Sequence, residues 1–109
     1  MKLVIIGGVA GGATAAARAR RLSESAEILL IERGPAVSFA NCGLPYHIGD
    51  EIPRRERLLV QTADGLRKRY RIDVRPRNEA VAIDRAARTV HARAIDTGRL
   101  YTEPYDRLI

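Results

Sequence analysis

Residues 2–22, KLVIIGGVAGGATAAARARRL, decide the fold. Residues 2–6 form a short β-branched apolar run that ends in glycine, which reads as a buried strand. GGVAGG follows as a turn, and from Ala13 to Leu22 the chain is rich in alanine and arginine, both strong helix formers. SESAE breaks that helix, and ILLIERG, residues 28–34, supplies a second buried strand ending on an acidic residue. Strand, helix and strand make a βαβ unit, which places its strands parallel and its crossover right-handed. The fold class expected is therefore α/β with a parallel sheet of Rossmann type.

The turn carries chemistry as well as topology. In the fingerprint G-x-G-x-x-G the first glycine makes the tight turn, the second admits the pyrophosphate and the third lets helix pack on strand. Gly7 and Gly12 fit the first and third places, Val9 departs from the second, and Gly8 and Gly11 add slack on either side. A helix starting near Val9 would turn free N–H groups and the positive end of its dipole toward an anion. Glu32 follows Gly12 by twenty residues and ends the second strand, where a carboxylate accepts from a ribose 2′-hydroxyl. That favours an adenosine with a free 2′-OH, as in FAD or NAD. Taken alone, the glycines also suit a tight connection in another α/β protein, and Glu32 also suits an exposed strand end.

Downstream, residues 35–49 read as a loop and helix start interrupted by Pro45, and residues 50–57 as a polar, solvent-facing stretch. Residues 62–70, TADGLRKRY, predict a short helix capped by Thr62 or Asp64. From Ile72 onward the sequence alternates in strand fashion, with turns at DRAAR and DTGR. It reads as a strand, then a β-hairpin or meander, then a last strand beginning near Tyr105 that would be cut off at the chain end.

At 109 residues the chain can bury one core, and with 46% hydrophobic and 29% charged residues it is too apolar to be disordered. No apolar run approaches the roughly 20 residues of a membrane span. The start lacks the cleavage region of a secretory signal, so the expected location is cytoplasmic and no membrane partner is expected. The net charge is +6, and all but Lys2 and Lys68 of the 19 basic residues are arginine. Such a balance suits phosphorylated small molecules, nucleic acid or simply a solvated surface. A nucleic-acid partner is not expected, because Tyr46, Tyr70, Tyr101, Tyr105 and Phe39 are the only aromatics and no RNA-binding motif is visible.

Cys42 is the only cysteine and sits in SFANCGLPYHIG, residues 38–49. No internal disulfide can form, so the thiol is free, a metal or cofactor partner, or reactive. Thiolate chemistry needs a lowered pKa, which a helix N-terminus or a nearby cation supplies. A lone cysteine by itself is more often an inert buried residue. No Cys/His spacing suggests a metal, and His47 and His91 read as structural.

The three segments KLVIIGGVAGGATAAARARRL, IERG and VSFANCGLPYHIG together resemble the N-terminal FAD domain of the coenzyme A-disulfide reductases. Those enzymes belong to the pyridine nucleotide-disulfide oxidoreductases, which include NADH oxidases and peroxidases. AVAID, residues 80–84, and YDRLI, residues 105–109, extend the resemblance over the whole chain. Ser-Phe-x-x-Cys-Gly is its specific part, and the Val9 departure is typical of this branch.

The resemblance implies a Rossmann-like FAD-binding domain with a β-meander insertion, of which residues 1–109 would be the N-terminal part. A nicotinamide-binding domain and a dimerisation domain would follow, and a homodimer is expected of the whole protein. Flavin contacts carry over at Gly7, Gly8, Gly11, Gly12, Glu32, Arg33 and the backbone near Val81. Contacts to coenzyme A carry over at Thr14, Arg18, Arg21, Ser38 and Asn41, while Tyr70 stands where a basic residue is sometimes used. Glutathione and lipoamide reductases of the family carry a C-x-x-x-x-C pair, and here His47 replaces the second cysteine. The resemblance thus implies that Cys42 is catalytic and cycles with an external partner. With NAD(P)H as donor, it would form a Cys–S–S–CoA mixed disulfide during reduction of CoA disulfide or a CoA persulfide. In the oxidases and peroxidases the same cysteine cycles through sulfenic acid. A further alternative is a nucleotide-binding module without catalysis. The 109 residues alone are expected to show no turnover.

Overall fold

A computed structural model describes residues 1–38, 48–49, 54 and 61–109 of the chain. Its elements run β1 (Lys2–Ile6), α1 (Gly11–Leu22), β2 (Glu27–Glu32), α2 (Ala63–Tyr70), β3 (Asp73–Pro76), β4 (Asn78–Asp84), β5 (Thr89–Ala94), β6 (Leu100–Pro104) and β7 (Arg107–Leu108). The expected βαβ unit is present: β1 and β2 pair in parallel, Lys2 against Glu27 through Ile6 against Ile31. β3 adds in parallel on the far side of β2, and β7 on the far side of β1, giving the order β3-β2-β1-β7. The region from β4 to β6 is the antiparallel meander, in the order β4-β5-β6.

Strand periodicity explains why β1 and β2 read as continuous apolar runs. Successive side chains point to opposite faces, and both faces are covered. Leu3, Ile5, Ile28 and Leu30 pack with Ala16 of α1, Leu66 of α2, Ile72 and Val74. Val4, Leu29 and Ile31, one residue out of step, pack against Val90 and Ala92 of β5. Ile5, Ile28, Leu29, Leu30 and Ile31 are fully buried, and each contributes about 2 kcal/mol relative to exposure. The result is three layers, with helices on one face of the parallel sheet and the meander on the other.

A polar clamp ties the layers at the edge. Glu103 of β6 accepts from Lys2 Nζ at 2.6 Å and from Arg75 Nη1 at 2.7 Å, so the meander is joined to β1 and β3. Arg75 also donates to Asp73 at 2.6 Å and lies over the Tyr101 ring. Burial alone would raise the Glu103 carboxyl, but hydrogen bonds from Lys2 and Arg75 outweigh it and hold the group below its ordinary value.

Helix α1 begins at Gly11 rather than near Val9, with Ala10 at the cap and no capping side chain. Val9 and Ala10 thus belong to the turn. Helix α2 is capped as its sequence suggests: the Thr62 hydroxyl accepts from the Gly65 N–H at 2.9 Å, and Asp64 sits in the first turn. It is closed by Arg71 at the C-cap, in the left-handed region at φ 52°. Both expected turns in the meander form, the first braced by the Asp84 carboxylate, which accepts from Ala87 N–H at 3.0 Å.

Candidate functional site

Two clefts flank the glycine turn, and the residues singled out from sequence divide between them. The first lies at the C-terminal ends of β1 and β2, where open α/β sheets bind ligands. It measures about 280 Å3 and is lined by Ile6, Gly7, Ile31, Glu32 and Arg33, with Asn78, Glu79 and Ala80 of β4 closing the third side. Gly7 takes φ +92°, a region that side chains avoid, and its N–H donates to the Ile31 carbonyl at 2.8 Å. A Cβ on Gly12 would overlap the Gly7 carbonyl oxygen, so the helix meets the turn backbone to backbone only because Gly12 has no side chain. Gly8 is tightly packed under Val37 and Leu30, whereas a Cβ on Gly11 would meet nothing.

Glu32 does more than end a strand. Its Oε1 accepts from the Gly8 N–H at 2.9 Å and its Oε2 from the Gly34 N–H at 2.6 Å. The carboxylate therefore braces both loops at the mouth of the cleft, and each oxygen keeps a second acceptor site. Val81 does not line this cleft. It is 46% exposed and lies where the pairing of β4 with β5 shifts register between Ala80 and Ala82, a bulge that relieves Val81 of a cross-strand partner.

The second cleft, of about 340 Å3, runs between α1 and α2. Thr14, Arg18 and Arg21 face it from α1 together with Ala13 and Ala17, and Ser38, Gln61, Leu66 and Tyr70 complete the wall. Spacings of four and three along the helix put Thr14, Arg18 and Arg21 beside each other on one side. Ser38 is held at φ 52° by a hydrogen bond from its N–H to the Gly8 carbonyl at 2.6 Å. That bond links the end of the second cleft to the glycine turn. Asn41, Cys42 and His47 lie outside the described residues. His91 is exposed on β5, with Nδ1 3.1 Å from the Thr102 hydroxyl. Among the described residues no group of three His, Cys, Asp or Glu could hold a metal ion, and no helix is long and apolar enough to cross a membrane.

Sequence reasoning missed Arg20. It is buried, and its guanidinium donates to four backbone carbonyls: Ser23 (3.1 Å) and Glu24 (2.9 Å) past the end of α1, and Tyr70 (2.7 Å) and Arg71 (3.0 Å) at the end of α2. The signal was present in the spacing, because Ala13, Ala16 and Arg20 fall on the buried side of α1. The wall supplied by Asn78 and Glu79 was also missed, since it comes from a strand distant in sequence.

The model of the pyridine nucleotide-disulphide oxidoreductase family matches residues 1–109. The chain belongs to that family. It is 40% identical over 108 residues to a coenzyme A disulfide reductase of Staphylococcus aureus, covering 99% of this chain and 25% of that protein. Among solved structures, reduced CoADR-RHD of Bacillus anthracis superposes with TM-score 0.96 at 50% identity, over 98% of this chain and 19% of that one. A NAD-dependent persulfide reductase from A. fulgidus superposes with TM-score 0.94 at 36% identity, over 99% and 20%. The chain thus spans about a quarter of the length of the curated relatives it matches.

Proposed function

We propose that residues 1–109 are the N-terminal part of the FAD-binding domain of an NAD(P)H-using flavoprotein that reduces CoA disulfide, or a CoA persulfide, through Cys42. The observation that carries this reading is the convergence of Thr14, Arg18, Arg21 and Ser38, from two separate segments, on one cleft beside the glycine turn. Likeness to coenzyme A disulfide reductases over the whole chain supports it.

The glycine turn suits a flavin dinucleotide. Gly7 and Gly12 bring the start of the helix against the turn, a closeness that any Cβ at position 12 would forbid, and Glu32 has acceptor sites left for ribose hydroxyls. Gly8, Gly11 and Arg33 would complete the hold on the dinucleotide, and the β4 backbone near Val81, where Ala80 lines the cleft, would meet the adenine. The flavin supplies two-electron transfer from NAD(P)H to a disulfide. The chain's own residues do the rest. Arg18 and Arg21 present guanidinium donors to the phosphates of the substrate, while Ser38, Thr14 and Asn41 hydrogen-bond its pantetheine arm. The Cys42 thiolate attacks one sulfur of the bound disulfide; a Cys–S–S–CoA bond forms and one CoA leaves as thiolate. Two electrons then cleave the mixed disulfide, returning the Cys42 thiolate and, with a proton, the second CoA thiol.

The whole protein would be a cytoplasmic homodimer whose nicotinamide-binding and dimerisation domains lie beyond these residues. The test is NAD(P)H oxidation by the protein at its natural length, with CoA disulfide as acceptor. Cys42→Ser should abolish it while leaving the flavin bound. Turnover retained by that variant, or transfer to oxygen or peroxide in preference to CoA disulfide, would overturn the proposal.

A further inference from the structure

Resting on the coenzyme A reading above, we propose that Tyr70 is a positioning residue of the α1/α2 cleft: it aims the Arg21 guanidinium at the phosphorylated end of the substrate, and Arg20 holds it in place. Arg21 is exposed on the last turn of α1, and such a side chain sweeps a wide volume unless something limits it. Tyr70 provides the limit. Its hydroxyl accepts from Arg21 Nη2 at 3.5 Å, and the Arg21 guanidinium carbon lies 6.0 Å from the centre of its ring. Each contact is weak singly, but together they fix one end of the guanidinium and leave its remaining donors for an anion in the cleft.

Tyr70 is itself anchored. Its ring packs against the buried core under α1 and α2, and its carbonyl accepts from Arg20 Nε at 2.7 Å. Because Arg20 also binds carbonyls at the end of α1, it fixes the spacing of the two helix ends across which Arg21 and Tyr70 meet. The surroundings favour an anion. The Arg69 guanidinium carbon lies 5.4 Å from the centre of the Tyr70 ring, and the acid on α2, Asp64, is already paired with Arg67 at 3.0 Å. A tyrosine at this place thus serves a phosphate site indirectly, by ordering a guanidinium rather than by supplying a charge.

The test is a double-mutant cycle on the flavin-loaded protein at its natural length. The probe is adenosine 3′,5′-bisphosphate, the nucleotide half of coenzyme A, titrated by calorimetry. Tyr70→Leu should weaken binding about ten-fold when Arg21 is present and less than two-fold in an Arg21→Gln background. Tyr70→Phe, which keeps the ring and the packing, should lose only about two- to three-fold, and flavin absorbance with melting temperature reports folding. Should Tyr70→Leu melt early, the same cycle with Tyr70→Phe decides. Equal losses in both backgrounds would show that Tyr70 acts on its own, and no loss in either would remove its role; both overturn the inference. Wild-type protein that reduces CoA disulfide yet does not bind the bisphosphate would also overturn it while leaving the coenzyme A reading intact. Bisphosphate binding that shows the coupling, without any CoA-disulfide reduction, would sink that reading instead.

Discussion

The two clefts of this chain are built from different materials. The cleft at the ends of β1 and β2 is shaped by backbone: Gly7 at φ +92°, Gly12 against the Gly7 carbonyl, and Glu32 bracing two backbone N–H groups. The cleft between α1 and α2 is shaped by long side chains, with Arg18, Arg21 and Tyr70 drawn from two helices about fifty residues apart in sequence. Where backbone meets backbone, as at Gly12, no added side chain is tolerated, because the atoms it meets cannot yield. Side-chain shape degrades gradually. The same substitution size should therefore have very different effects in the two places.

The largest effect is expected at Gly12. Gly12→Ala should cost about 3 kcal/mol or more and empty the proposed flavin site, because the new methyl meets main chain rather than a movable side chain. Thermal melting and flavin absorbance read it. Next comes Arg20→Met, which leaves four carbonyls without their donor; a loss of about 2–3 kcal/mol by denaturant unfolding is expected. A smaller loss, about 1–2 kcal/mol at neutral pH, is expected for Glu103→Gln in the clamp. Its sign with pH follows from the lowered carboxyl. The contribution of Glu103 is complete above the ordinary value of 4.5 and vanishes as the pH falls through the lower folded value, so wild type and variant should converge in acid. Smallest is Gly11→Ala, within about 0.5 kcal/mol of wild type or slightly stabilising, since the added Cβ meets nothing on a helical position. A Gly11 variant as damaging as Gly12 would break the contrast between the two neighbours.

Legibility in the sequence followed the same division. β1, α1, β2, α2 and the Thr62 cap were readable because each rests on local periodicity, glycine or a capping hydroxyl. The meander was readable as alternation, although its docking on Val4, Leu29 and Ile31 was not, since that contact joins segments distant in sequence. Of the site, the glycines and Glu32 were visible by spacing, and Thr14, Arg18, Arg21 and Ser38 through family resemblance. The resemblance also set those four and Tyr70 at one site, but the share of Gln61 and Leu66 in its wall was invisible, because it depends on where α2 lands against α1. Glu32 carried a second duty, bracing Gly8 and Gly34, that no spacing rule announces. Arg20 looked like one more solvated arginine until its helical position was set against Ala13 and Ala16.

The central claim is that the α1/α2 cleft delivers coenzyme A to Cys42, and the most direct test is mass spectrometry of the protein at its natural length, isolated oxidised, with and without reductant. The account predicts a mass on Cys42 equal to coenzyme A that disappears on reduction and is much diminished in an Arg18→Gln, Arg21→Gln double variant. An unmodified thiol, or one that gains a single oxygen with peroxide, would contradict it and place the chemistry with sulfenic acid instead.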